Sequence, residues 1–215
     1  MASRSLPKRL WYRLVRRVLQ LLATVFYHVR CTGQENIPPG GGILAVANHQ
    51  SNFDPPLIGM ACPRRMNFLA RETLFESGFL AWLMRSLDAI PIDREGIGLG
   101  GIKESLRRLK RGEIVLVFPE GTRSHDGKLG PFRPGFTTLA IRSKAAILPL
   151  AIEGAYAAWP RGTLLPRLGR IHIHFAPPIL PKEIEDRGYD ERQLLDEVEL
   201  RVRRCHNELV RRWKK

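Results

Sequence analysis

Short apolar runs separated by helix-like stretches limit what this chain can fold into more than any other feature. The runs are Ile43 to Ala47, Met66 to Ala70, Ala89 to Ile92, Ile114 to Phe118, Ile147 to Ile152 and Ile171 to Phe175. Their small and branched apolar residues read as buried strands. Between them lie helical patterns, notably Gly100 to Gly112, Pro134 to Lys144 and a final stretch from about Asp190 to Trp213. In that last stretch Leu194, Val198, Val202, Cys205, Leu209 and Trp213 recur at spacings of three or four, which gives one apolar face opposite a basic one. Strands alternating with helices predict an α/β domain, a mostly parallel or mixed sheet flanked by helices. With 215 residues and 44% hydrophobic composition, a single domain with terminal additions can bury a substantial core.

The formal charge of +14 suggests nucleic acid until its distribution is read. Residues 1 to 34 carry seven Lys or Arg and no acid, and residues 201 to 215 carry seven against Glu208 alone. The intervening residues have 21 basic and 20 acidic side chains, so the body is near neutral. Basic character confined to the ends, without interleaved base-stacking aromatics, argues against nucleic acid and for an anionic surface. Cys31, Cys62 and Cys205 are widely spaced and form no CxxC pair, so a reducing compartment is expected.

The amino end suggests which surface. Lys8, Arg9, Arg13, Arg16 and Arg17 surround Trp11 and Tyr12, and an uncharged run follows from Val18 to Val29. That run would measure roughly 18 Å as a helix, short of the ~30 Å hydrocarbon core. No small-residue cleavage site follows, which argues against a secretory signal. Residues 1–30 therefore read as a basic amphipathic membrane-docking segment, peripheral or monotopic on the cytoplasmic face, ahead of a domain over 31–215. The competing reading is a helix packed on the protein's own body.

The stretch GGILAVANHQSNFDPP, Gly41 to Pro56, changes character halfway: a buried strand gives way to a polar cluster containing His49 and Asp54. Residues five apart on a helix diverge by about 140°, so these two side chains meet only across a turn. A strand ending at Ala47 and a helix start at Asp-Pro-Pro supply that turn. Paired with a carboxylate, the imidazole has its tautomer fixed and its protonated form stabilised, as a general base requires. The plainer alternative is that Asp54 only caps a helix.

A second strand, Ile114 to Phe118, delivers Pro119, Glu120, Gly121, Thr122, Arg123 and Ser124 at its carboxyl end, where open α/β sheets place ligands. Gly121 permits close backbone approach, Thr122 and backbone N–H groups can donate to oxygens, and Arg123 can hold a phosphate bidentately. Arg94 closes a similar strand, in Ala89 to Arg94.

The order NHxSxxD (Asn48 to Asp54), IPIDR (Ile90 to Arg94), FPEGTRS (Phe118 to Ser124) and ILPLAI (Ile147 to Ile152) resembles the four blocks of the PlsC-like glycerolipid acyltransferases, the lysophosphatidic acid acyltransferase family. The resemblance covers roughly 36–179. It implies transfer of a fatty acyl group from acyl-CoA or acyl-ACP, as cosubstrate, to a lysophospholipid hydroxyl, most simply 1-acyl-glycerol-3-phosphate, with no metal and no bound cofactor. It makes His49 and Asp54 the catalytic pair, Arg94, Glu120, Gly121, Thr122 and Arg123 the glycerophosphate site, and Pro149 part of the fourth block. One departure is Arg71, where many relatives carry Lys; it bears on acceptor or donor contacts and not on the chemistry.

The residues support that chemistry on their own. A thioester is already activated, so one base acting on the acceptor hydroxyl suffices. No G-x-S-x-G elbow advertises a covalent nucleophile, although Ser51 lies two positions from His49. Two other patterns compete. Gly96 to Gly101 satisfies G-x-G-x-x-G after a strand, but the charged Asp93 to Glu95 intervene and a dinucleotide site leaves NHQSNFD unexplained. His172 and His174 share a strand face yet have no third ligand at convincing spacing, so they read as a solvated face. A noncatalytic lipid-binding module and an acyltransferase for another lysolipid remain as alternatives.

Overall fold

The computed structural model describes residues 6–76, 78–87, 89–92 and 98–213. Among them seven strands form one sheet: β1 (Arg30–Thr32), β2 (Ile43–Ala47), β3 (Met66–Arg71), β4 (Ile90–Ile92), β5 (Ile114–Val117), β6 (Ala146–Glu153) and β7 (His172–Phe175). Their spatial order is β1-β7-β6-β2-β5-β3-β4, and every neighbouring pair is parallel except β6 with β7. The helices are α1 (Leu6–Tyr27), α2 (Asp54–Ala61), α3 (Gly78–Ser86), α4 (Leu99–Lys110), α5 (Phe136–Ser143), α6 (Ala155–Ala158), α7 (Pro181–Arg187) and α8 (Glu191–Trp213). The α/β domain with a mixed, helix-flanked sheet is thus the architecture observed.

β2 is apolar at every position because both faces of the sheet are covered. Ile43, Ala45 and Ala47 pack with Leu57, Ile58 and Met60 of α2, while Leu44 and Val46 pack with Leu139 of α5 and Leu194, Val198 and Val202 of α8. From β2 the chain crosses through α2 toward β3; from β5 it crosses through α5 to β6, on the other flank of β2. Right-handed crossovers running in opposite directions put those helices on opposite faces. The connections therefore part above the neighbouring carboxyl ends of β2 and β5 and leave a crevice there.

Differences from the sequence expectations are local. β6 extends one residue beyond Ile147 to Ile152 at each end, and Phe118 lies past the end of β5. β1 has no counterpart among the expected strands: Arg30, Cys31 and Thr32 alternate exposed and half-buried, and the strand exists through its pairing with β7. The basic face of α8 is partly neutralised, since Arg201 binds Glu197 and Glu183 and Arg203 binds Glu199.

α1 does pack on the body, seating Leu19, Ala23 and Tyr27 against the core, but it also turns polar groups inward and leaves apolar ones outside. Its inner face presents Arg16, whose Nε donates to Met60 O at 3.1 Å and Nη1 to Pro63 O at 3.2 Å, and Gln20, whose Nε2 also reaches Met60 O at 3.1 Å. These donors satisfy the Met60 carbonyl in the last turn of α2 and that of Pro63 just beyond it. Trp11 donates to Ser86 Oγ at 3.0 Å and meets the Trp82 ring at 5.1 Å. The outer face exposes Leu6, Leu10, Leu14, Val18, Leu21, Leu22, Val25 and Phe26. A helix that meets water on its outer side shows the opposite pattern. No helix among the described residues is long and apolar enough to cross a membrane. The double substitution Arg16→Ala and Gln20→Ala strips the Met60 carbonyl of both donors, and we expect a loss of about 2 kcal/mol in urea unfolding; an unchanged midpoint would show that α1 is not held by these bonds.

Candidate active site

The site begins where β2 stops. Ala47 pairs with Leu150 of β6, and one residue later the backbone departs while the buried Asn48 side chain takes over the pairing. Asn48 Nδ2 donates to Ile152 O and Asn48 Oδ1 accepts from Ile152 N, both at 2.9 Å. An amide that mimics a peptide group lets the chain turn without leaving β6 unsatisfied. This explains why the polar run opens on Asn.

The turn brings together the pair read from the sequence: His49 Nδ1 lies 2.7 Å from Asp54 Oδ2. Gln50 N and Ser51 N donate to the same oxygen at 2.6 and 2.7 Å. Asp54 is not the helix cap, since Phe53 occupies that position and Asp54 opens α2 with its carboxylate folded back over the turn. Its side chain is fully buried, whereas that of His49 is 18% exposed, so the pair presents only the imidazole to a ligand. Burial raises the Asp54 carboxyl above the usual carboxylate range, opposed by the bonds from His49, Ser51 and Gln50. With Nδ1 committed to Asp54, Nε2 is the ring nitrogen left to exchange a proton.

The turn after β5 braces this arrangement from behind. Glu120 Oε1 accepts from His49 N at 2.7 Å and Oε2 accepts from Gly130 N at 2.9 Å. A Cβ on Gly130 would lie 3.1 Å from that oxygen, which accounts for glycine there. Ser124 N donates to His49 O at 2.7 Å, and the Phe118 ring stacks on the imidazole with centroids 4.0 Å apart. Glu120, read from the resemblance as part of the glycerophosphate site, is therefore turned inward with each oxygen on a backbone N–H. Burial raises its pKa as well, against the N–H groups of Gly130 and His49.

Gly121 closes the turn with φ at +71°, a conformation that favours glycine, and its N–H bonds Phe118 O at 3.0 Å. Arg133 covers it: a Cβ on Gly121 would lie 3.2 Å from Arg133 Cδ and Nε. Thr122 Oγ1 accepts from Arg161 Nη1 at 3.3 Å, and Arg123 is half-buried in the same turn. Arg94 lies outside the described residues, as does Gly96 of the glycine pattern. Gly98 precedes α4 and Gly100 and Gly101 fall inside it, beyond the edge strand β4 rather than at the central crevice. Pro149 sits in β6 opposite Val46, away from the turn.

The other candidates for chemistry are accounted for. Ser51 Oγ donates to Trp159 O at 2.8 Å and accepts from Phe53 N at 3.2 Å within a buried setting. Burial pushes the Cys31 thiol up to about 11 and that of Cys205 to about 12, so neither is a thiolate near neutrality. His174 Nδ1 pairs with Thr32 Oγ1 at 2.8 Å across the β1–β7 edge. Beneath the turn, Gln50 Nε2 donates to Gly127 O at 2.7 Å and to Glu153 Oε2 at 3.0 Å, and His206 Nε2 lies 2.8 Å from that same Glu153 oxygen. Burial raises Glu153, but the bonds from His206 and Gln50 hold it below the usual range. Phe118 enters the sequence reading only as a strand end and the start of a block, and Gly130, Arg133, Glu153 and His206 receive no role there; His206 in particular is 156 positions from Gln50 and carries no local signal.

A family model described as Acyltransferase matches residues 28–153, more than half of the chain and all of β2 to β6. The chain belongs to the acyltransferase family. The 1-acyl-sn-glycerol-3-phosphate acyltransferase of Pseudomonas aeruginosa is 32% identical over 171 residues, 78% of this chain and 64% of that one. The Bacillus subtilis enzyme of the same name is 25% identical over 201 residues, 92% of this chain and 98% of that one. The crystal structure of PlsC from Thermotoga maritima, a 1-acyl-sn-glycerophosphate (LPA) acyltransferase, matches with a TM-score of 0.84 and 31% identity, covering 100% of this chain and 86% of that one. The chain spans half or less of the length of the matched plant enzymes.

In this acyltransferase, Glu120→Gln replaces one acceptor oxygen by an NH2 group that must face a backbone N–H. Hydrogen bonds to charged groups are worth about 1.5–3 kcal/mol. We expect a stability loss of about that size in urea titration, with kcat falling more than KM changes because the His49 backbone is no longer held. A variant with reduced affinity for the phosphorylated acceptor and unaltered stability would instead return Glu120 to the substrate.

Proposed function

We propose that this acyltransferase moves a fatty acyl group from a thioester donor, acyl-CoA or acyl-ACP, to the free hydroxyl of 1-acyl-glycerol-3-phosphate, giving phosphatidic acid. The observation that carries the reading is the His49 Nδ1 to Asp54 Oδ2 contact of 2.7 Å, with the carboxylate fully buried and the imidazole accessible. Names of the matched bacterial relatives support the acceptor.

His49 Nε2 takes the acceptor's hydroxyl proton as that oxygen attacks the thioester carbonyl. The tetrahedral intermediate collapses by breaking the C–S bond, and the imidazolium returns the proton to the departing thiolate. Asp54 fixes the Nδ1–H tautomer and stabilises the transient charge. Arg123 and Arg94 supply cations for the acceptor phosphate, with the Thr122 hydroxyl as a donor beside it, while Gly121, its N–H bonded to Phe118 O, shapes the turn that carries them. Glu120 acts as a positioning residue, since an anion in direct contact with phosphate would oppose binding. The thioester is a cosubstrate, and the cycle leaves the protein unchanged.

The same reading puts the enzyme on an anionic membrane surface, peripheral or monotopic on the cytoplasmic face, with α1 of the 1–30 segment as a docking element. The apolar outer stripe of α1 supports this. Arg16 contributes to the fold rather than to lipid, since its guanidinium is bonded to α2.

A product assay by mass spectrometry, offering several lysolipids and both donor types, tests the substrates; the expected product is phosphatidic acid. General-base assistance is worth about 10²–10⁴-fold, so His49→Ala is expected to lose at least that much turnover and Asp54→Asn most of it, with fold retained. Near-wild-type turnover in folded His49→Ala would contradict the mechanism. Arg123→Ala is expected mainly to raise KM for phosphorylated acceptors; full retention of phosphate discrimination would move the phosphate site elsewhere.

A further inference from the structure

The connection from α6 to β7, residues 160–170, is an apolar, basic loop that the proposed chemistry does not use. Leu164, Leu165 and Leu168 are 88%, 74% and 75% exposed. Scattered exposed leucines are ordinary on a soluble surface, but three within five residues on one loop are not. Arg161, Arg167 and Arg170 interleave with them, and no acid occurs between Glu153 and Glu183.

The loop has a defined shape. Arg167 N donates to Ala158 O at 2.7 Å, Trp159 Nε1 to Thr163 O at 3.0 Å and Thr163 Oγ1 to Pro160 O at 2.9 Å. Its backbone is thus tied at the base while the leucines project. Such a loop is held open rather than collapsed onto the apolar surface of its own domain.

Both ends of the loop are rooted in functional elements. At its start, Trp159 O accepts from Ser51 Oγ at 2.8 Å, and Arg161 Nη1 reaches Thr122 Oγ1 at 3.3 Å and His125 Nε2 at 3.4 Å. At its end, Ile171 N donates to Tyr27 O, the last residue of α1, at 3.1 Å. An aromatic run joins the two ends: Tyr27 meets Phe53 at 5.1 Å, and Phe53 meets Trp159 at 4.8 Å. Phe53 immediately precedes Asp54. The loop is therefore bonded at its end to the last residue of α1, a helix that exposes Leu21, Leu22, Val25 and Phe26, and at its start to both turns of the site.

We propose that residues 160–170 form a second membrane-contact element, which inserts Leu164, Leu165 and Leu168 into the acyl boundary of an anionic bilayer while Arg161, Arg167 and Arg170 meet its phosphates. Leucine side chains supply the non-ionic part of the binding and the arginines the salt-sensitive part. A single helix touches the bilayer along one line, so the body bonded to it can still tilt across that line. A second contact, bonded to the His49 and Thr122 turns, fixes the orientation of the crevice toward the lipid surface. The inference relies on the proposed function only for the expectation that the acceptor resides in that surface, and the binding test uses vesicles without any substrate.

The test is the full chain carrying L164S, L165S and L168S together, floated with phosphatidylglycerol–phosphatidylcholine vesicles lacking lysolipid and donor. Loss of three apolar contacts is expected to raise the vesicle Kd about tenfold or more. Turnover of vesicle-borne long-chain acceptor is expected to fall in parallel, while turnover of a water-soluble short-chain acceptor stays at the wild-type value. A second variant, Leu165→Trp, reads insertion in an otherwise native loop: its fluorescence is expected to shift blue on these vesicles and be quenched by brominated lipid beyond the wild-type background. Wild-type vesicle affinity in the triple variant, or no quenching beyond that background in the Leu165→Trp protein, would overturn the proposal. A wild-type oligomer by light scattering that the triple variant abolishes would also overturn it, by assigning the leucines to a contact between copies of the chain.

Discussion

One oxygen of a buried carboxylate holds an imidazole nitrogen and two backbone N–H groups, and the geometry of the site depends on that convergence. Asp54 Oδ2 gathers His49 Nδ1 and the backbone N–H groups of Gln50 and Ser51 into one turn. An isolated buried carboxylate is costly, and these bonds are what make its burial tolerable. In return the carboxylate sets the turn: with Gln50 N and Ser51 N bonded to it, the chain between β2 and α2 has little freedom to present His49 differently. Asn48 supports the same turn from the strand side by pairing with Ile152.

The central strands and the contact between His49 and Asp54 are legible in the sequence because each has a local signature. β2 and β5 read as continuous apolar runs since both sheet faces are covered, and His49 and Asp54 stand out because a simple turn needs neither an imidazole nor a carboxylate. β1 escapes because a three-residue edge strand is created by its partner, not by its own pattern. The orientation of Glu120 escapes for a related reason: a motif places a carboxylate at the end of β5 without saying that its acceptors face His49 N and Gly130 N. Glu153 and His206 are brought under Gln50 only by the packing of α8 against β6 and β7. The basic residues of α1 do not all belong to its outer surface: Arg16 faces α2, whereas Arg13 and Arg17 are exposed along with an apolar stripe.

The crevice and the apolar surfaces are parts of one arrangement. Opposite crossovers from β2 and β5 open the crevice at the carboxyl ends of the strands. The helix that follows β2 carries α1 on its far side, and α6 leads into the exposed loop from the end of β6. The aromatic run Tyr27, Phe53 and Trp159 links these pieces within one residue of Asp54. A ligand with an apolar tail and a charged head is the kind of molecule for which the His49 and Thr122 turns and the apolar surface need such a fixed relation.

The central claim is that Asp54 holds His49 as a base with its proton on Nδ1 and its lone pair on Nε2. Nitrogen-15 chemical shifts of the His49 ring, measured in the neutral form of the imidazole, read the tautomer directly. The account requires a protonated Nδ1 with a downfield proton resonance and an Nε2 shift typical of an unprotonated nitrogen, with the downfield signal lost in Asp54→Asn. A ring found with its proton on Nε2 in the folded wild-type enzyme would contradict it.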